Sequence, residues 1–161
     1  MKNRKLSHYN AAGSVSMVDV SAKTATARSA RARAFVAMPP EALAALPNNK
    51  KGDPLEIARI AGISAAKKTS DLIPLCHQVP LSHIAVDFRL DRAGIEITSN
   101  ARTVAQTGVE MEAMTAAAVA ALTIYDMTKA LNKAIEIREI QLLEKTGGKS
   151  GPFRRAAPTK K

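Results

Sequence analysis

Tryptophan is absent, and only Tyr9, Phe35, Phe88, Tyr125 and Phe153 are aromatic. So few rings provide no stacking platform for nucleic acid. They also leave the core to Ile, Leu, Val, Ala and Met. Cys76 is the single cysteine, which excludes an intrachain disulfide framework and fits a reducing, cytoplasmic compartment. With only His8, His77 and His83 beside it, no zinc-ligand spacing exists. No apolar run approaches the roughly 20 residues of a membrane span. The first residues, MKNRKLSHYNAAGS, lack the apolar stretch of a signal peptide.

Acidic residues are also sparse, 14 against 24 Lys and Arg, for a net charge of +10. Placement decides what this means. Seven of the basic residues (Lys2, Arg4, Lys5, Arg154, Arg155, Lys160, Lys161) lie in two acid-free tails. That leaves 17 against 14, a net of +3, between Leu6 and Gly151. Basic tails of this kind are usually solvated. The expected organisation is a flexible arm over 1–16, one α+β domain over 17–151 and a basic tail over 152–161.

The dominant feature is Thr107 to Lys133, TGVEMEAMTAAAVAALTIYDMTKALNK. It reads as one helix. Thr107 and Glu110 have capping-box spacing, Glu110 and Glu112 favour the positive end of the dipole, and Lys129 and Lys133 favour the negative end. Its middle is small or apolar on every side, as in a buried helix. Met111, Glu112, Thr115, Val119, Leu122, Asp126 and Lys129 share one face. Glu112 and Asp126 stand 14 residues, about 21 Å, apart. They therefore belong to different sites, or to one site completed by a second subunit.

Upstream, Ala30, Ala32, Ala34, Val36 and Met38 alternate with Arg31, Arg33, Phe35 and Ala37, which predicts a strand with a basic outer face. A helix stays open there, because alanine is a poor strand former. A short helix follows over Glu41–Leu46, then a loop over 47–52. Asp53-Pro54-Leu55-Glu56 opens a second long helix with an Asp cap and Pro at its first position. Gly62 inside that helix predicts close packing. Thr69-Ser70-Asp71 marks a turn into LCHQVP. Ile84, Val86, Phe88 and Leu90 point inward on a strand that turns at Asp91–Gly94 into a partner beginning at Ile95. The last strand, Ile135–Leu143, slips phase near Glu139, as a bulge would make it. These elements predict an α+β two-layer sandwich, an antiparallel sheet with helices packed on one face.

Several groups could carry chemistry. Lys50 and Lys51 precede a helix N-terminus, a natural anion site. Lys67 and Lys68 end that helix, and Lys129 follows Asp126 by one turn. Together they suit a phosphorylated substrate. Asp126 with Lys129 reads either as a surface ion pair or as an acid–base device. Cys76 and His77, adjacent in an extended segment, would face opposite ways, which leaves Cys76 as a small buried residue. GGKS at 147–150 is not a phosphate loop, because Leu143 stands where that motif needs glycine. It reads as a flexible turn.

MVDVSAK (17–23), KKGDPLEIARIAGISAAKKTSDLIPLCH (50–77), TGVEMEAMTAAAVAALTIYDMTKA (107–130) and GGKSG (147–151) resemble the signatures of the cyclic pyranopterin monophosphate synthase family, also called molybdenum cofactor biosynthesis protein C. The resemblance runs from about His8 to Phe153. It implies a ferredoxin-like fold and a homohexamer built from dimers with sites at subunit interfaces. It further implies conversion of (8S)-3',8-cyclo-7,8-dihydroguanosine 5'-triphosphate to cyclic pyranopterin monophosphate with release of pyrophosphate. By matching position, Asp126, Lys51 and Lys129 would be catalytic. Leu75, Cys76, His77, Met111, Glu112, Lys67, Glu110 and Arg28 would bind substrate. In this assignment Lys51, Lys67 and Arg28 carry the phosphate charge, Asp126 and Lys129 act as the acid–base pair, and residues 75–77 orient the base or sugar. No protein-bound cofactor or metal is expected; Mg²⁺ accompanying the triphosphate is compatible with the sequence.

Two other readings compete. A basic nucleic-acid-binding protein would owe its charge to the tails and should show a steep salt dependence of RNA binding. A purely structural oligomerisation domain would tolerate Asp126→Ala and Lys51→Ala with no activity to lose. The motif set favours the synthase reading over both.

Overall fold

The structure, a computed structural model, describes residues 8–9 and 13–156. In chain order its elements are β1 (Thr26–Ala37), α1 (Pro40–Ala45), a single 3₁₀ turn (Leu46–Asn48), α2 (Pro54–Lys67), α3 (Thr69–Leu72), β2 (Leu81–Asp91), β3 (Gly94–Ala105), α4 (Glu110–Thr128), β4 (Glu136–Thr146) and β5 (Phe153–Arg154). The sheet runs β2-β3-β1-β4-β5, with every neighbouring pair antiparallel. Leaving out the short pieces, the order β–α–β–β–α–β with β1 and β3 central is the split-βαβ, ferredoxin-like arrangement. α2 and α4 lie side by side against the sheet.

Packing explains why a run of alanines forms the central strand. Ala30, Ala32, Ala34 and Val36 are buried beneath Ala113, Ala116, Ala117, Ala120 and Ala121 of α4 in one core cluster. Small side chains on both layers bring helix and sheet close, and this packing outweighs alanine's weak strand preference. The Ser99 hydroxyl on β3 even reaches the Ala113 carbonyl of α4 at 2.6 Å. At the α2–α4 crossing, a Cβ on Gly62 would stand 2.9 Å from the Ala116 carbonyl oxygen. The close packing expected at this glycine is therefore present.

The second long helix begins as expected. The Asp53 carboxylate accepts from the Leu55 and Glu56 amides at 2.9 and 3.3 Å, and Pro54 takes the first position. The bulge falls at Glu139, which adopts φ 57° where β4 shifts register against β1. The basic outer face of β1 is neutralised: Arg31 pairs with Glu144 at 3.1 Å, and Arg33 pairs with Glu139.

Other expectations are corrected. The dominant helix spans Glu110–Thr128, three residues shorter at its start and five at its end. Thr107 is not its cap; Val109 holds that position without a side-chain bond, and the Glu110 side chain instead folds back over Gly108. Beyond the end of the helix, Asn132 accepts the Ala134 amide at 2.7 Å in the loop that leads to β4. Within the single chain Leu122 of this helix is 57% exposed, which leaves that side to a second copy if it is covered at all. Leu90, expected inward, is 49% exposed at the far end of edge strand β2. Thr69–Leu72 is a turn of helix, in which the buried Thr69 hydroxyl donates to the Ala66 carbonyl at 3.0 Å.

Past Gly151, Phe153 and Arg154 pair with Lys145 and Glu144, so the sheet extends two residues into the stretch read as tail. Residues 157–161 lie outside the described residues. Of the expected arm, His8, Tyr9 and residues 13–16 are described; Tyr9 bridges to Val15. No helix is long and apolar enough to cross a membrane.

Candidate active site

α2 and α4 run antiparallel, so each end of α4 gathers its own set of functional side chains. Two adjoining cavities flank its N-terminus. The first, about 710 Å³, is lined by Lys23, Arg28, Lys145 and Lys149, with Thr24, Thr26, Gln106 and Ser150 among the other lining groups. The second, about 420 Å³, is lined by Leu75, Cys76, His77, Met111 and Glu112, with His8 and Val18 beside them. Lys23, Thr107, Gly108 and Glu110 line both, so the two form one continuous surface.

Local structure holds these groups in place. Arg28, near the start of β1, donates from Nε to the Ala105 carbonyl at 2.9 Å and from Nη2 to the Gln106 carbonyl at 3.0 Å. Its guanidinium lies against Gly148, where a Cβ would stand 2.2 Å from Nη1. GGKS is therefore more than a spacer: its second glycine admits Arg28, and Lys149 and Ser150 join the wall of the cavity. Lys145 of β4 bonds Ser150 across the turn. The Lys23 amide donates to the Val20 carbonyl at 3.0 Å, a turn that brings Lys23 to both cavities.

In the second cavity His77 Nε2 lies 2.7 Å from the Val18 carbonyl oxygen. A carbonyl only accepts, so Nε2 donates there and the ring is oriented with Nδ1 as its other polar atom. Glu112 is 4% exposed. Burial above all, with Glu110 adding repulsion, raises its carboxyl pKa despite an opposing backbone hydrogen bond. Cys76 is half-buried rather than buried. It shares the cavity with His77, because residues 73–76 form a turn closed by the Cys76 amide on the Ile73 carbonyl and the segment is not a strand. Burial and the Glu112 charge push the thiol pKa up, which opposes a thiolate nucleophile.

The opposite end of α4 holds a compact cluster. Lys129 Nζ lies 2.7 Å from Asp126 Oδ1, and Lys51 Nζ lies 3.9 Å from Asp126 Oδ2. Lys51 also donates to the Asp126 backbone carbonyl at 3.2 Å. All three side chains are exposed. The Lys129 hydrogen bond and charge, then the Lys51 charge, lower the Asp126 pKa. Asp126 in turn raises that of Lys129. The cluster therefore presents a carboxylate between two ammonium groups.

This geometry alters the reading of the lysines. At the helix start that Lys50 and Lys51 precede, the Asp53 carboxylate occupies the Leu55 and Glu56 amides. Lys51, Lys67 and Arg28 do not converge within one chain. Lys51 joins Asp126, Arg28 lines the first cavity, and Lys67 lines a separate hollow with Ser82 and His83. Sequence reasoning assigned no role to Lys23, Lys145, Lys149 or His8, whose Nδ1 is buried without a partner among the described residues. The available signals were the SAK and GGKS stretches, which carry two of these lysines. Among the described residues, no group of three or more His, Cys, Asp or Glu side chains could hold a metal ion.

A split-βαβ sandwich with cationic side chains around an open cavity, beside a buried carboxyl and an oriented imidazole, has the build of a small-molecule enzyme for a strongly anionic substrate. The chain belongs to the MoaC family, whose model matches residues 17–148. It is 54% identical over 154 residues to a cyclic pyranopterin monophosphate synthase of Deinococcus radiodurans, covering 94% of this chain and 91% of the relative. It is 52% identical over 157 residues to the synthase of Chloroflexus aurantiacus, covering 95% and 96%. A third synthase, from Dinoroseobacter shibae, is 53% identical over 152 residues, covering 92% and 96%.

Proposed function

We propose that the chain is a lyase of molybdenum cofactor biosynthesis that converts (8S)-3',8-cyclo-7,8-dihydroguanosine 5'-triphosphate to cyclic pyranopterin monophosphate and pyrophosphate. The observation that carries this reading is the near-complete overlap with relatives of that name at 52–54% identity. The joined cavities fit the substrate's two halves. Lys23, Arg28, Lys145 and Lys149 surround the triphosphate, and residues 75–77 with Met111 and Glu112 hold the base and sugar side.

Keeping one phosphate as a cyclic ester while releasing two has a defined bond balance. A hydroxyl oxygen of the rearranging sugar attacks the α-phosphorus, the α–β phosphoanhydride bond breaks, and the hydroxyl proton leaves. Negative charge grows on the departing pyrophosphate, where preplaced cations stabilise it. Asp126 as carboxylate accepts a proton, Lys129 and Lys51 stabilise its charged form, and Nδ1 of the His77 ring, when neutral, offers a second acceptor.

Asp126 and Glu112 face opposite ends of one helix, about 21 Å apart along its axis. In this reading a working site joins the Lys51–Asp126–Lys129 cluster of one copy to the cavities of another, and the homohexamer built from dimers is what the resemblance to the synthase family implies. The test is pyrophosphate release from the cyclised triphosphate by the purified chain and by Asp126→Ala. Release by the wild type alone supports the reading. No release by assembled wild type overturns it.

A further inference from the structure

Asn48 and Asn49 are neighbours of identical chemistry in a loop that composition alone would dismiss. The fold treats them differently. Asn48 is exposed and makes no side-chain hydrogen bond among the described residues, whereas Asn49 is half-buried. Both ends of the Asn49 amide are used. Nδ2 donates to the Met127 carbonyl at 2.9 Å, and Oδ1 accepts the Lys51 amide at 2.9 Å. A turn closes the same stretch, with the Gly52 amide on the Asn49 carbonyl at 3.1 Å and Gly52 at φ 99°.

Met127 and Asp126 belong to the last turn of α4, whose carbonyls have no partner within the helix. Asn49 takes the first of these carbonyls and Lys51 Nζ takes the second, at 3.2 Å. One amide thus ties the end of α4 to the backbone of the residue whose ammonium group must reach Asp126. Lys51 has four side-chain torsions and is exposed, so its contacts with Asp126 depend on where its backbone is anchored.

We infer that Asn49 is a positioning residue, which acts through Lys51 by fixing the 49–52 turn on the C-terminus of α4. This rests on the reading of Lys51 and Asp126 as working groups. A displacement of about 1 Å at such a group can lower a rate by about 100-fold.

The experiment measures pyrophosphate release for the assembled full chain with Asn49→Ala, Asn49→Asp, Asn48→Ala, Lys51→Ala and the Asn49→Ala/Lys51→Ala double variant. Asn49→Ala should lower kcat about 10- to 100-fold with a much smaller change in KM. Asn49→Asp keeps the acceptor but loses the donor, so it should resemble Asn49→Ala. Asn48→Ala should match the wild type. Adding Asn49→Ala to Lys51→Ala should lower kcat no further, because the residue Asn49 acts through is already gone. Equal losses in both backgrounds, or an unchanged kcat for Asn49→Ala, overturn the inference.

A second measurement needs no activity and separates this inference from the functional reading. Trace amine labelling of Lys51, read by mass spectrometry, should differ between wild type and Asn49→Ala while that of Lys67 stays constant. Identical Lys51 labelling overturns the tether, whatever the chain catalyses.

Discussion

Replacing Gly62 by alanine sets local preference against packing. Inside a helix, alanine is favoured over glycine by about 1 kcal/mol, so propensity alone predicts stabilisation. At Gly62 the new Cβ would stand 2.9 Å from the Ala116 carbonyl oxygen, 3.2 Å from Val86 Cγ2 and 3.3 Å from Ala120 Cβ. The nearest of these is backbone of α4, which is held between the sheet and α2 and cannot swing aside as a side-chain tip would. α2 must therefore move outward by a few tenths of an ångström, loosening Ala58, Ala65 and Ala66, which are buried on the same helix.

Overpacking costs about 1–3 kcal/mol. Three simultaneous close contacts place this case toward the upper end. After the propensity gain, the net loss is about 1–2 kcal/mol. For a chain of this size that lowers Tm by about 2–8 °C. The assay is thermal unfolding by circular dichroism at one protein concentration, with Ser64→Ala as control. Ser64 is exposed on the same helix, so only propensity acts there and its Tm should rise slightly. A Tm for Gly62→Ala equal to or above that of the wild type would refute the argument that α2 and α4 are in backbone contact at this point.

Two further outcomes follow from the site. If each site takes Asp126 from one copy and Lys145 from another, then Asp126→Ala and Lys145→Ala, each weak alone, should recover about a quarter of wild-type activity when dissociated and reassembled as an equal mixture; no recovery would mean that one chain supplies both groups. Glu112→Gln should raise Tm near pH 7 by about 2–4 °C, on the order of 1 kcal/mol, by removing a buried charge. The sign follows from the raised carboxyl pKa. Its stabilising contribution is complete below the ordinary value of 4.5 and is lost as pH rises through the folded value, so the gain should vanish near pH 4. Melts of both forms across pH 4–8 check this, and coincident curves at pH 7 would contradict it.

Much of the fold is legible in local patterns. Asp53-Pro54 announces α2, since an Asp side chain and a missing proline N–H both satisfy a helix start without outside help. The slip near Glu139 announces the bulge because strand side chains alternate strictly. Thr107 misleads: its spacing to Glu110 matches a capping box, but Gly108, with no Cβ, leaves the space into which the Glu110 carboxylate folds. Cys76 beside His77 misleads for a related reason, because a turn puts both on one wall where a strand would separate them.

The sequence by itself determined the element order, the alternation that decides which strand faces meet the helices, and the residue set whose ordered motifs mark the family. These depend on covalent spacing and local hydrogen bonding. Tertiary structure alone decided how the lysines divide. Antiparallel packing of α2 on α4 sends Lys51 to Asp126 and leaves Lys67 at the far end, while the sheet order brings Arg28, Lys145 and Lys149 together from positions more than a hundred residues apart. Charge proximity of that kind is fixed by which surfaces exclude water, and no spacing along the chain encodes it.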